Sequence, residues 1–160
     1  IMSGDLNYFY RSPLLNARFS VFQTSIEDAN EISFFFAEGI GGDNSSFVQE
    51  IMQGISKKYH GLEVGIEGQI LPSLKLKGAA SVGEYIYGNN PNVYLTSDDF
   101  GYLDFGEAKM KNLKIATGAQ HAYSFGFEFR ENYWWFGMTS NYFENTYLDV
   151  SPINLSLIHI

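Results

Sequence analysis

From His60 to Tyr85 the chain alternates apolar and polar positions on either side of a short turn at Leu71, Pro72 and Ser73. In the first arm Leu62, Val64, Ile66 and Ile70 fall on one side, with Gly61, Glu63, Gly65, Glu67 and Gln69 on the other. In the second arm Leu74, Leu76, Ala80 and Val82 oppose Lys75, Lys77, Ala79, Ser81 and Gly83. A period of two marks a β-strand. Two such runs joined by a three-residue turn form an antiparallel hairpin, because a parallel pair needs a crossover of about a dozen residues. The apolar side suits either the interior of a soluble sandwich or the lipid face of a transmembrane barrel, and alternation alone does not choose.

The same period recurs along the chain. Residues 14–26 and 31–39 read as strands separated by EDAN, which is either a break between two strands or a bulge within one. AYSFGFEFR sets Tyr123, Phe125, Phe127 and Phe129 against Ser124, Gly126 and Glu128. After a turn at Arg130, Glu131 and Asn132, Trp134, Phe136 and Met138 oppose Trp135, Gly137, Thr139 and Asn141. Helical spacing is confined to SSFVQEIMQGISKK, with Val48, Ile51, Met52 and Ile55 on one face and Ser46 with Gln49 resembling a capping box. Gly54 weakens that helix, and residues 46–55 read more readily as a strand running into the 60–85 hairpin. Residues 88–112 are polar and read as a long loop.

With EDAN as a bulge, tight turns at 12–13, 71–73 and 130–132 alternate with long polar loops at 40–47 and 88–112. Short turns at one end and long loops at the other describe an outer-membrane barrel. Tyr133, Trp134 and Trp135 cluster beside a tight turn, while Tyr142 and Tyr147 lie farther along. At ~3.3 Å rise and a tilt near 40°, the run from Trp134 to Tyr142 climbs about 20 Å, near the ~25 Å band between two aromatic girdles. These five residues are the candidate girdle. The pattern gives five or six strands, whereas the smallest membrane barrels have about eight, and an open edge cannot face lipid with its amides unpaired. The chain therefore reads as a soluble sheet or as a section of a larger barrel.

Charged residues make up 18% of the chain and aromatics 17%, a mix that suits strands facing something apolar. A net charge of −8 with no basic patch argues against nucleic acid. Cysteine is absent, which removes disulfide frameworks and thiolate metal sites. No apolar run is long enough for a membrane helix, a fact that leaves barrels open.

At NPNVYLTSDDFG, AYSFGFEFR and YWWFGMTSNYFENTYLDVSP the sequence resembles the C-terminal half of the barrel in TonB-dependent outer-membrane receptors of the Bacteroidota type. GLEVGIEGQILPSLKLKGAASVGEYIY and RSPLLNARFSVFQTSIEDANEISFFF are similar to strand pairs of that family, so the resemblance spans roughly residues 8–152. It implies an all-β fold, an antiparallel meander of long strands that is an open section of a barrel of about 22 strands. It also implies partners: the outer-membrane bilayer, an N-terminal plug and, through the plug, the inner-membrane TonB complex. The implied function is energy-dependent uptake of a scarce solute without covalent catalysis or a cofactor. Residues 1–154 then form the partial barrel, and 155–160, within INLSLIHI, look like a non-native tail.

The three histidines are far apart in sequence and lack ligand-like spacing, and no G-x-S-x-G elbow is present. TSDDFGYLDFGE gathers acidic residues that read as a solvated loop or as oxygen donors for calcium. Tyr94, Asp98, Asp99, Phe100, Tyr102 and Asp104 are the candidate solute-binding residues, since aromatic faces stack on rings while carboxylates accept hydrogen bonds. Glu63 and Glu67 share a side with Lys75 and Lys77 and are expected to pair across strands in a wet lumen. Leu62, Val64, Ile66, Leu74, Leu76 and Val82 are then expected to face lipid. The competing function is a soluble lipocalin-like barrel that binds a small ligand, which requires eight evenly connected strands.

Overall fold

A computed structural model describes residues 1–37, 46–99 and 101–149. Eight strands form one antiparallel sheet: β1 (Met2–Arg11), β2 (Leu15–Ala37), β3 (Ser46–Leu71), β4 (Leu74–Tyr87), β5 (Asn92–Ser97), β6 (Gly101–Glu107), β7 (Ala119–Glu131) and β8 (Trp134–Thr146). The order β1-β2-β3-β4-β7-β8 is a meander, and β5 pairs with β3 and β6. Among the described residues no pairing joins β1 to β8, so the sheet is open. The all-β meander expected from the period-two pattern is the fold found.

The three tight turns lie side by side. Gln69 N–H donates to Leu14 O at 2.8 Å, and Arg130 N–H donates to Ser73 O at 2.7 Å, which places the turns after β1, β3 and β7 at one end. The last turn falls at Asn132 and Tyr133, one residue later than expected, with Asn132 at φ 52°. Asparagine tolerates this left-handed geometry better than most residues.

Two expectations change at the opposite end. Residues 88–112 are not a structureless loop: β5 and β6 form a hairpin within them, and β5 continues the sheet beside β3 where β4 has ended, pairing Ile51 with Tyr94. The strand count therefore rises from five or six to eight. The segment 46–55 is strand, not helix. A bulge at Gly54, φ 69°, adds one residue to the period-two alternation, so Val48, Met52 and Ile55 share a face at spacings that imitate a helix. EDAN is likewise a bulge within the single strand β2, with Asp28 at φ 56° and register shifts on both sides of Ala29. The 40–47 loop lies mostly outside the described residues, as do Phe100 and the 155–160 tail.

The bulge at Gly54 is stitched to the next connection. Asn89 donates from Nδ2 to Gly54 O at 2.6 Å and accepts at Oδ1 from Ser56 N–H at 2.8 Å. Both backbone groups lost from the regular ladder are thus satisfied by one amide side chain. The buried core gathers here, at the loop end, from Val48, Met52 and Ile55 of β3, Tyr87 of β4, Val93 and Leu95 of β5, and Met110 with Ile115 beyond β6. Burial pushes the Tyr87 phenol up to about 12, with Glu31 the next contributor.

Candidate functional site

Directly opposed residues of an antiparallel ladder share a face, so the register sorts every side chain below the bulges into two sets. One face carries Leu6 and Tyr8 of β1, Phe19 and Val21 of β2, Leu62, Val64 and Ile66 of β3, Leu74, Leu76 and Val82 of β4, Tyr123, Phe125, Phe127 and Phe129 of β7, and Trp134, Phe136, Met138 and Tyr142 of β8. Most of these are exposed; Ile66 is 52% and Phe136 58% accessible. Rings meet across the ladder, Phe127 with Phe136 at 5.6 Å and Tyr123 with Tyr142 at 6.2 Å. Every residue that the alternation assigned to the apolar side of the 60–85 hairpin is on this face.

The opposite face is charged and small. Lys75 Nζ approaches Glu67 Oε1 at 3.0 Å, and Lys77 lies 3.8 Å from Glu67 Oε2 while also pairing with Glu128. Glu67 therefore pairs as expected. Glu63 does not: its neighbour on β4 is Ser81, and its ion pair, at 3.8 Å, is with Arg18 of β2. Arg18 Nε also donates to Ser20 Oγ at 2.9 Å, and Ser20 donates to Asn7 Oδ1 at 2.6 Å. Between these groups Gly65, Ala79, Ser81, Ala122 and Ser124 leave a shallow hollow of about 290 Å³, rimmed by Arg18, Glu63, Asn141 and Phe143. A second hollow of about 660 Å³ adjoins it, lined by Phe9, Arg11, Asn16, Glu67 and Lys77.

A row of ionisable side chains that also point outward crosses this face, and exposed Ile32, Phe34 and Phe36 resume it beyond the row. His60 Nε2 lies 3.3 Å from Glu84 Oε2, Lys114 pairs with the same Glu84, and His121 Nδ1 lies 3.9 Å from Glu144 Oε2. Tyr142 donates its hydroxyl to Glu144 Oε1 at 2.9 Å, tying the row to the aromatics beneath. The ten steps from Trp134 to Glu144 climb about 25 Å at the tilt usual for membrane strands. This row was missed in the sequence because its members are distant in the chain. The signal was nevertheless there: His60 and Glu84 are equidistant from Pro72, and His121 and Glu144 from the Asn132–Tyr133 turn.

The expected girdle divides. Trp134 and Tyr142 stand on the apolar face at its two ends, and Tyr133 sits in the turn. Trp135 opposes Arg130 on the charged face, since neighbours in a strand point to opposite sides. Tyr147 lies beyond β8 and lines a hollow with Tyr87, Met110 and Leu113.

The expected solute-binding residues come only partly together. Tyr94 and Tyr102 stack at 5.4 Å, and Asp104 opposes Tyr94, so all three share one side of the β5–β6 hairpin. That side continues the apolar face, because Tyr94 opposes Ile51, which opposes Ile32. Loss of solvent, then the Asp104 carboxylate, raises the Tyr102 phenol. Asp98 and Asp99 are exposed at the hairpin tip, where Asp99 N–H donates to Ser97 Oγ at 3.2 Å. Asp104 Oδ1 is occupied by Gly106 N–H at 2.8 Å. Among the described residues no group of three or more His, Asp or Glu is placed to hold a metal ion. Comparison with family models, with curated proteins and with solved structures finds no match.

Proposed function

We propose that this sheet is a wall section of a larger transmembrane β-barrel in the bacterial outer membrane, and that the barrel is an energy-dependent uptake receptor of the TonB-dependent type. The observation that carries the barrel reading is the exposed apolar face, which runs about 25 Å from Trp134 to the row of His60–Glu84–Lys114 and His121–Glu144 groups that crosses it. A soluble sheet would have to cover such a face, because an exposed apolar area of this extent is an association site. Lipid covers it without a second layer. The hollows lie chiefly against the charged face, which suits a wet interior; a lipocalin-like barrel would turn its apolar face inward.

The open edges support a section over a complete barrel. β1 and β8 each present a strand edge, and in lipid every amide and carbonyl requires a partner from further strands. The uptake reading rests on the resemblance across residues 8–152 and on a lumen wall of mixed charge. If the charged face lines the lumen, Tyr94 and Tyr102 lie on the barrel's outside. Solute contacts are then assigned to the lumen wall near Arg18, Glu63 and Asn141, with the hairpin tip at Asp98 and Asp99 at the entrance.

The test uses the intact protein that carries this sheet. It should fractionate with the outer membrane and shift in electrophoretic mobility on heating, and cells should lose uptake of its solute when the proton-motive force is collapsed. Recovery in the soluble fraction without detergent contradicts the barrel, whereas membrane recovery with uptake indifferent to that force contradicts only the receptor assignment.

A further inference from the structure

Resting on the assignment of the charged face to the lumen, we propose that the larger hollow of that face binds the carboxylate of an acidic solute, with Arg11 as its ionic partner and Arg18 as a second donor. The register builds the site. Phe9 opposes Arg18 and Arg11 opposes Asn16, so all four share the charged face in the last rungs before the β1–β2 turn. Both arginines reach one ring: the guanidinium carbon lies 5.9 Å from the Phe9 centroid for Arg11 and 5.7 Å for Arg18. Attraction between a cation and an aromatic face restrains both side chains, so Phe9 sets two planar donor forks side by side before a ligand arrives. Arg18 already gives Nε to Ser20 and Nη2 to Asn7, which leaves Nη1 to donate into the hollow.

One positive charge here is unmatched. The two adjoining hollows are lined by three cations, Arg11, Arg18 and Lys77, against two carboxylates, Glu63 and Glu67, in a chain whose net charge is −8. Glu63 lies 3.8 Å from Arg18, Glu67 takes Lys75 at 3.0 Å, and Lys77 pairs with Glu128. Arg11 is exposed and forms no ion pair among the described residues. A surplus of one charge matches a carboxylate, whose planar pair of oxygens fits an arginine fork, better than a phosphate monoester carrying about −1.5 to −2 charges at neutral pH. Phe9, 54% accessible among these charges, and the Asn16 amide offer an apolar surface and hydrogen bonds to the rest of such a molecule. In the barrel reading the short turns face the periplasm, so the solute meets this site as it leaves the lumen.

The experiment is a saturation-transfer NMR titration of the intact protein in detergent micelles with glucuronate and with glucose, its neutral counterpart with a hydroxymethyl group in place of the carboxylate. Glucuronate should bind about tenfold more tightly than glucose. Arg11→Gln should weaken glucuronate by about tenfold and leave glucose unchanged. Lys58→Gln, which removes a positive charge from the opposite face, should alter neither. Equal binding of the two sugars, no binding of glucuronate, or a glucuronate affinity indifferent to Arg11→Gln overturns the carboxylate site; in a protein that fractionates with the outer membrane, any of these spares the barrel. Recovery in the soluble fraction without detergent overturns both. Tighter binding of glucose 6-phosphate than of glucuronate overturns the choice of a carboxylate, since the two differ in the charge that the surplus at Arg11 would have to meet.

Discussion

Gly61 and Gly65 share the charged face of β3, yet a methyl group would meet different surroundings at the two positions. At Gly61 it would lie 2.6 Å from Val82 O and 2.8 Å from the Phe22 ring, which crosses the strand above it; at Gly65 nothing lies within 4 Å. Glycine at 61 is thus the seat of an aromatic ring, and glycine at 65 is part of an open hollow. Gly61→Ala should destabilise the folded sheet by about 1–3 kcal/mol as the ring and backbone shift. Gly65→Ala should be neutral or stabilise by roughly 0.5–1 kcal/mol, because glycine loses the most backbone freedom in a strand. Urea titration of the intact protein folded into vesicles checks both, and equal costs at the two positions would contradict the distinction. Nothing in the sequence separates these glycines, since Phe22 reaches Gly61 only through the β2–β3 register.

The elements were legible wherever alternation ran long. Residues 60–85, 122–130 and 134–141 were read as the strands found because each repeats period two over many residues, while the turn between the last two fell one residue later than its residue signals suggested. β5 and β6 were not, because each is short and Gly88, Asn89, Asn90 and Pro91 surround the run NVYLTS with loop chemistry. The helix-like spacing of Val48, Met52 and Ile55 came from a single inserted residue at Gly54, which no period count distinguishes from a helical turn. Asn89 is the key to that region, since its amide satisfies both backbone groups of the bulge. Asn89→Ala should cost about 1–3 kcal/mol by leaving a partly buried carbonyl and amide unpaired. Leu95→Ala, deep in the neighbouring cluster, should cost about 2–5 kcal/mol. Hydrogen exchange should report both losses at residues 48–56 first, with the 60–71 ladder still protected; uniform loss along β3 would show that the loop end is not a separate cooperative region.

At the scale of the whole molecule, the two faces were readable from the alternation, while the boundary between apolar band and ionisable row needed the pairing of strands. Trp135 shows the limit of composition alone: it sits in an aromatic cluster of the sequence, yet parity sends it to the charged face. Arginine at Ile66 or Leu76, near the middle of the apolar band, should cost roughly 2–4 kcal/mol in vesicles, and Ser81→Arg, on the hollow's floor, should cost less. Equal penalties on both faces would remove the distinction between lipid and lumen.

The central claim, that one face meets lipid and the other water, is tested most directly by spin labels at single cysteines introduced along β3, β4 and β8, a chain that carries no cysteine of its own. In vesicles of the intact protein, labels at Leu62, Val64, Ile66 and Met138 should collide with dissolved oxygen more than with a water-soluble nickel complex. Labels at Glu63, Gly65, Ser81 and Asn141 should show the reverse, and oxygen access should fall away at His60 and Glu144. A period of two in phase with this assignment is the expected result, and a reversed phase or uniform water access on both faces would contradict it.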